Sequence, residues 1–335
     1  MKRYCLVLFP LLVACGSDND SAPAPTPPDA EGTVSIAISD APVDNVSSVV
    51  LQLDSIDLTL QHQGINGDII SLDLSDQNVD LLEYQGEQAA WLIEGQGVPA
   101  GQYMAHLNVV EGSGDAGSYV EDGAGKHPLD IVQPHLPLGS ITVIENEALS
   151  FTLEVDLRYA LLLDDEGNYT LDIHGMRWVD NRYMGHLNGV VDEALINDCE
   201  ADHPGLANQD GSFIHVAYLY PQSTAIEAMD DIALTAETGK VLPTTTAPIY
   251  QMHDGNWHFQ VGYLAEGEYQ LGYTCLGHLD QPSSNEGADS DFNIYDDGGA
   301  ITINSGPNGG YNNNCQMGQG GYSGGGHGHG GGGRG

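Results

Sequence analysis

The acidic stretch Asp289-x-Asp291-x-Asn293, followed by Asp296-Asp297-Gly298, has the spacing a hard cation asks for. Ca2+ takes several oxygen ligands, and alternate positions of a loop can converge on one ion. Asp289, Asp291, Asn293 and Asp296 are therefore the candidate calcium ligands. The run departs from an EF-hand, because Ile294 stands where that loop needs glycine and no Glu closes it. The competing reading is an acidic surface loop. Asp40, with Pro42 and Asp44 close behind, reads as a turn aspartate whose carboxylate accepts nearby backbone N–H groups. Asp156 and Arg158 lie two apart, which places both on one side of a strand and suits them to ion pairing. His327-Gly328-His329 offers two imidazoles to Cu2+, Ni2+ or Zn2+, but without a folded cage. His203, His253, His258 and His278 lack paired metal spacing and read as surface or internally satisfied histidines. The one Gly-x-Ser-x-Gly run, Gly321 to Gly325, sits in a glycine tail and not at a strand-to-helix elbow. Phosphate-loop, haem-attachment and HExxH motifs do not occur. No residue is assigned a catalytic role.

The cysteines carry more definite chemistry. Lys2 and Arg3 precede an apolar run from Cys5 to Val13, and Leu12-Val13-Ala14 leads into Cys15. A basic start, a short apolar stretch and a small residue before the cut are the marks of a secretory signal. The run is too short for a spanning helix, which needs roughly 20 apolar residues. Leu-Val-Ala-Cys resembles the bacterial lipobox, which implies cleavage after residue 14 and acylation of Cys15. Several acyl chains anchor firmly, since each buried CH2 contributes roughly 0.8 kcal/mol. Gly16 occupies the place where inner-membrane retention signals put Asp, so the resemblance implies the outer membrane. Residues 15–31 then form a Pro/Ser/Asp-rich linker that cannot bury enough surface to order itself. Cys199, Cys275 and Cys315 remain in a compartment that permits disulfides. Cys199–Cys275 is the expected pair, with Cys275–Cys315 left open.

The chain holds 48 acidic and 8 basic residues, for a formal net charge of -40. Such a surface repels nucleic acid and anionic lipid head groups. It suits divalent cations, or solubility in salty surroundings.

The elements that must position these groups are strands. Val34 to Ile38 and Val49 to Leu60 alternate apolar and polar residues, the period of a half-buried strand. Shorter candidates follow at 68–74, 102–110, 140–144, 149–157 and 169–178, separated by Gly- and Asn-bearing turns. Residues 77–94 suggest a turn or two of helix. A second β series starts near Gly185, with strands expected at 213–220, 232–235, 249–252, 256–263, 268–274 and 301–303. Val98-x-x-Gly101-x-Tyr103 and Leu264-x-x-Gly267-x-Tyr269 share one form, so the halves are of related style. The prediction is an all-β protein with two tandem β-sandwiches of immunoglobulin or transthyretin style, at 32–180 and 181–305. Residues 306–335 are Gly-rich and are expected to be disordered.

Gly32 to Val46, with Ser39-Asp40-Ala41-Pro42 after the first strand, resembles the opening of a bacterial lipoprotein family known as domain of unknown function 4382. Ile56-Asp57-Leu58, Val98 to Tyr103 and Phe151 to Leu163, with Asp156-Leu157-Arg158, extend the resemblance over about 32–180. Tyr159-Ala160 departs from the Ser-type residues commoner there, and a Pro expected near Ile173-His174 is absent. The second series, with Gly189-Val190-Val191 and Gly267-Glu268-Tyr269, resembles carboxypeptidase-regulatory or transthyretin-like sandwiches. These resemblances imply fold and location and bring no catalytic residue. The expected role is non-enzymatic: a lipid-anchored envelope protein that binds a glycan, a matrix polymer or another envelope protein, or serves structurally. Three tryptophans and 16 tyrosines supply material for sugar stacking. The alternatives are a calcium-dependent hydrolase, which needs converging carboxylates in a concave site, and a subunit of an envelope assembly, which needs an exposed apolar patch or sheet edge.

Overall fold

The computed structural model describes residues 30–41, 46–62, 65–75, 77–280, 291–306 and 311–318. Cys15, Asp289, His327 and His329 lie outside them, as do residues 42–45, where the turn of Asp40 is expected. The described residues form an all-β protein of two tandem sandwiches.

In chain order the first sandwich comprises β1 (Glu31–Ala41), β2 (Val46–His62), β3 (Ile65–Asp73), β4 (Asn78–Asp80), β5 (Ala90–Pro99), β6 (Gly101–Val110), β7 (Tyr119–Asp122), β8 (Gly125–Ile131), β9 (His135–Val143) and β10 (Ala148–Asp156). One turn of helix, α1 (Leu157–Ala160), leads to β11 (Leu161–Leu163), β12 (Tyr169–Leu171) and β13 (Met176–Asp180). One sheet has the order β13-β10-β1-β5. The other follows β11-β12-β8-β7-β2-β6-β9, with β3 and β4 also paired to the long β2. Val34, Ile36 and Ile38 of β1 face Leu51, Leu53, Ile56 and Leu58 of β2 in one apolar core, as their alternation requires.

The second sandwich comprises β14 (Met184–Val191), α2 (Glu193–Asp202), β15 (Val216–Pro221), β16 (Thr245–Pro248), β17 (Tyr250–Gln251), β18 (Trp257–Ala265), β19 (Gly267–Thr274), β20 (Asp296–Ile303) and β21 (Tyr311–Met317). Its sheets run β17-β18-β14-β21 and β16-β15-β19-β20. Ala217 and Leu219 of β15 enter the sandwich core, while Val216, Tyr218 and Tyr220 are buried on its other face under Met229 and Ile232. Disulfide-linked Cys199 and Cys275 tie α2 to the end of β19, and Cys315 is free.

The shared Gly-x-Tyr form has one structural meaning. In each sandwich it marks the corner where the chain passes from one sheet to the other, from β5 to β6 and from β18 to β19. Each tyrosine hydroxyl donates back to a carbonyl four residues upstream, Tyr103 to Pro99 and Tyr269 to Ala265, both at 2.9 Å.

Four sequence expectations need correction, the first being the strand expected at 232–235, where the chain bends instead. Residues 311–317, expected in a disordered tail, form β21 and pair in parallel with β14. The Asn313 amide holds this strand in register, donating to the His186 carbonyl at 3.2 Å and accepting from the Asn304 N–H at 3.1 Å. Met317 is buried in the core beside Gly298. A polar segment with a single apolar anchor leaves no periodic signal. Residues 169–178 are not one strand: β12 and β13 belong to different sheets, broken by a turn at 172–175. Arg158 is not on the strand of Asp156, because that strand ends at Asp156 and Arg158 lies in α1, the short helix that carries the chain from one sheet to the other.

Candidate functional site

The candidate residues Asp156 and Arg158 meet not each other's strand but the second sandwich. Asp156 projects from the end of β10 and is fully buried. Its Oδ2 accepts from the Thr246 N–H at 2.7 Å, the Thr245 hydroxyl at 3.0 Å and the Thr246 hydroxyl at 3.1 Å, all at the start of β16. Burial raises its pKa, and the Thr246 N–H, the Thr245 hydroxyl and the Arg158 charge pull the other way. Arg158 donates through Nη2 to the Gly277 carbonyl at 2.8 Å. Tyr159 packs beside Tyr218 and Tyr220 and donates to the Ala233 carbonyl at 2.7 Å. Behind them, the Tyr218 hydroxyl donates to Asp280, whose other oxygen accepts from the Ile232 N–H at 3.0 Å.

A second seam lies along β13 and β18. Glu154 and Arg177 are cross-strand partners, 3.7 Å apart at their charged ends. Arg177 reaches across to β18, donating to the Tyr263 carbonyl at 2.9 Å and the Gly262 carbonyl at 3.3 Å. Burial raises the Glu154 carboxyl to about 7, although the Arg177 charge opposes the shift. The Tyr263 hydroxyl returns a bond to the Glu87 carbonyl at 3.1 Å. Gly86 and Gly262 touch backbone to backbone here. A Cβ on Gly262 would fall 1.9 Å from the Gly86 carbonyl oxygen. Gly262→Ala should therefore force the seam open and destabilise the protein by about 2 kcal/mol, the usual scale of overpacking. Chemical unfolding checks this, and a loss below about 0.5 kcal/mol would mean that the contact yields freely.

Asp40 is also fully buried. In the parallel β1–β10 ladder it pairs with core-facing Val155, whereas Ser39 pairs with Glu154 and Ala41 with Asp156. Paired residues of such a ladder share a face, so Asp40 points to the side opposite Glu154 and Asp156. Burial first, then the Glu154 and Asp156 charges, push its carboxyl well above the ordinary range. No described side chain or backbone group makes a hydrogen bond of normal geometry to its oxygens, and the Leu157 N–H pulls only weakly against the shift.

The calcium candidates divide. Asp296 begins β20 opposite Tyr273, and its carboxyl is raised by burial and then by Asp297. Asp291 and Asn293 are exposed in the approach to that strand. With Asp289 outside the described residues, the four are not assembled in view. Among the described residues, the Cys199, His203 and Cys275 ligand atoms do lie together, but both sulfurs are spent on their mutual bond.

A depression of about 340 Å³ lies on the sheet β17-β18-β14-β21. Asn188, Gln260 and Asn314 supply amides, and Tyr250, Met252 and His258 supply aromatic and apolar surface. Tyr250 is 47% and Met252 49% exposed, so both are available to a ligand. The amides are already oriented: Gln260 donates to the Asn188 oxygen at 2.9 Å and to Glu87 at 3.3 Å. Sequence reasoning missed this site because its side chains come from four strands and carry no motif. A raised-pKa acid, the mark of a hydrolase, does exist in Glu154, but it sits at the dry junction and not in this depression.

Residues 31–172, spanning β1 through β12, match the family described as Domain of unknown function (DUF4382), which supports such a domain there. No curated protein matches the chain. Among solved structures, a candidate adhesin from Bacteroides ovatus is 8% identical, with a TM-score of 0.19 and 74% of each chain covered. A candidate cell adhesion protein from Bacteroides eggerthii is 9% identical, with a TM-score of 0.18, covering 75% of this chain and 77% of its own. A shaft pilin from Lactobacillus rhamnosus is 10% identical at a TM-score of 0.18, covering 86% and 99%. Overlaps this loose say nothing about function here.

Proposed function

We propose that the protein is a non-enzymatic binding module of the cell envelope, held to the outer membrane by acylated Cys15, that presents the outer face of its second sandwich to a glycan. The open face of Tyr250, Met252, Asn188, Gln260 and Asn314 carries this reading. An exposed aromatic ring offers an apolar plane to a sugar, and pre-oriented amides offer donors and acceptors to its hydroxyls. Buried Asp156, by contrast, is engaged in joining the two sandwiches, which suits a rigid support. The reading retains a transthyretin-like assignment for the second sandwich. No helix among the described residues is long and apolar enough to cross a membrane, so attachment in this reading rests on the lipid.

Two measurements test it. Glycan arrays and capture from intact envelopes, each with and without Ca2+, should yield a partner that Tyr250→Ala and Gln260→Ala lose. Blank arrays and empty captures would sink the binding role. Cys15→Ser should leave the protein in the aqueous phase on detergent partitioning, and continued partitioning into detergent would refute the anchor.

A further inference from the structure

A third cluster lies on the outward face of the first sandwich, away from the junction and the proposed glycan face. Asp57 of β2 is the direct cross-strand partner of His106 on β6. Asn108, two residues further along β6, is the partner of His135 on β9. Alternation turns all four away from the core formed by Ile56, Leu58, Ala105, Leu107 and Leu136. The two imidazole rings stack with centroids 4.2 Å apart and planes inclined by 9°.

The hydrogen bonds fix which atoms are free. Ionised Asp57 only accepts, so the Asn108 atom 2.9 Å from it is the amide nitrogen. That nitrogen also donates to the Ser55 hydroxyl at 2.8 Å. The Asn108 oxygen therefore faces His135 Nδ1, and that nitrogen must carry the proton. The lone pair of His135 is left on Nε2, on an exposed ring. This is how a metal-binding histidine is prepared: the far N–H is held by a polar group and the near nitrogen is left to ligate. His106 Nδ1 is out of water with no hydrogen-bond partner. The Ser71 hydroxyl holds the other Asp57 oxygen at 2.6 Å. Although burial works against it, the bonds from Ser71 and Asn108 keep that carboxyl below its ordinary range.

We propose that Asp57, His106 and His135 form a binding site for a divalent transition-metal ion that accepts mixed imidazole and carboxylate ligands, Cu2+ or Zn2+. Two imidazoles with one carboxylate select such ions over Ca2+, which takes oxygen ligands. Among the described residues only Cys199, His203 and Cys275 bring three such ligand atoms within 4.8 Å of one another as they stand, so binding at Asp57, His106 and His135 needs the stacked rings to splay about their side-chain torsions. The net charge of -40 draws cations to the surface whatever their kind, so the cluster's contribution is selectivity.

The test is a Cu2+ titration of the full chain carrying His327→Gln and His329→Gln, in excess Ca2+ to occupy surface carboxylates. Chelator competition gives affinity and stoichiometry, and electron paramagnetic resonance reads the bound nitrogens. The expected result is one Cu2+ per chain with two imidazole nitrogens. His135→Gln, on the exposed ring, should remove one nitrogen and weaken binding at least about tenfold, as should His106→Gln. Asn108→Ala should weaken binding by roughly 10–100-fold while leaving the nitrogen count unchanged. Thermal unfolding without Cu2+ should be the same for His135→Gln as for its parent. Loss of all binding in the tail variant, or binding indifferent to His135→Gln, overturns the proposal.

Discussion

Asp156→Ala is expected to destabilise the protein by about 3 kcal/mol and to divide its unfolding into two transitions. The carboxylate collects three donors from the start of β16. Removing it leaves the Thr246 N–H without an acceptor in a dry site. A buried unsatisfied donor costs about 1–3 kcal/mol. The threonine hydroxyls can turn to other acceptors, so their share is smaller. Removal also relieves the cost of burying Asp156 itself, seen in its raised pKa. The balance still favours the native residue, because breaking one side of a buried charged contact typically costs 3–5 kcal/mol. Asp156→Asn should fall between, since its oxygen still accepts while its amide confronts a donor. The two-transition outcome follows from geometry: each sandwich has its own apolar core, and Asp156, Arg158, Tyr159 and Arg177 join them by hydrogen bonds. Calorimetry with hydrogen exchange checks this. A single transition with a loss below about 1 kcal/mol would show that the aromatic packing around Tyr159 suffices to couple them.

How much of this was legible in the residues depends on how local the signal is. Period-two alternation marked β1 and β2, whose apolar residues at every second place line one core. The Gly-x-Tyr form marked both sheet-switching corners, since the tyrosine's partner lies only four residues away. β15 was expected at 213–220 and forms at Val216–Pro221, but because Val216 to Tyr220 are all buried, alternation could not say which face meets the sandwich core. Helix α2 was missed: its Asp192 cap, which accepts from the Ala194 N–H at 3.0 Å, sits in an acidic chain where one more Asp attracts no notice. Asp156 and Arg158 stood out in the sequence as an ion pair within one strand, but their hydrogen-bond partners at 245–246 and 277 lie about a hundred positions away. Spacing within a strand cannot reveal a bond between domains. The same holds for Asp57, His106 and His135, which only the sheet register brings together.

Removing the buried acid beside Asp156 has the opposite expected sign. Glu154→Gln should stabilise the protein above neutral pH. The Glu154 carboxyl stands at about 7 in the fold, against 4.5 for an ordinary glutamate, with burial as the main cause. Between those values the unfolded chain has released this proton while the folded chain keeps it. The unfolded state then binds fewer protons, so stability falls as pH rises through this window. A shift of this size, at about 1.4 kcal/mol per unit, costs about 3 kcal/mol, reached near pH 7 and constant beyond it. Glutamine matches the neutral acid in shape and does not titrate. Arg177 keeps its bonds to the Tyr263 and Gly262 carbonyls, so the seam to β18 stays held. The variant should therefore equal the parent near pH 4.5 and exceed it by about 3 kcal/mol at pH 8. The charge common to both chains cancels in this difference, including the raised Asp40 and Asp156 carboxyls. Urea unfolding of both proteins at intervals from pH 4.5 to 8 measures it directly. Parallel stability curves would mean that water reaches Glu154 and that its charge is not confined between the sandwiches. Diverging curves would locate a proton held at neutral pH in the joint itself.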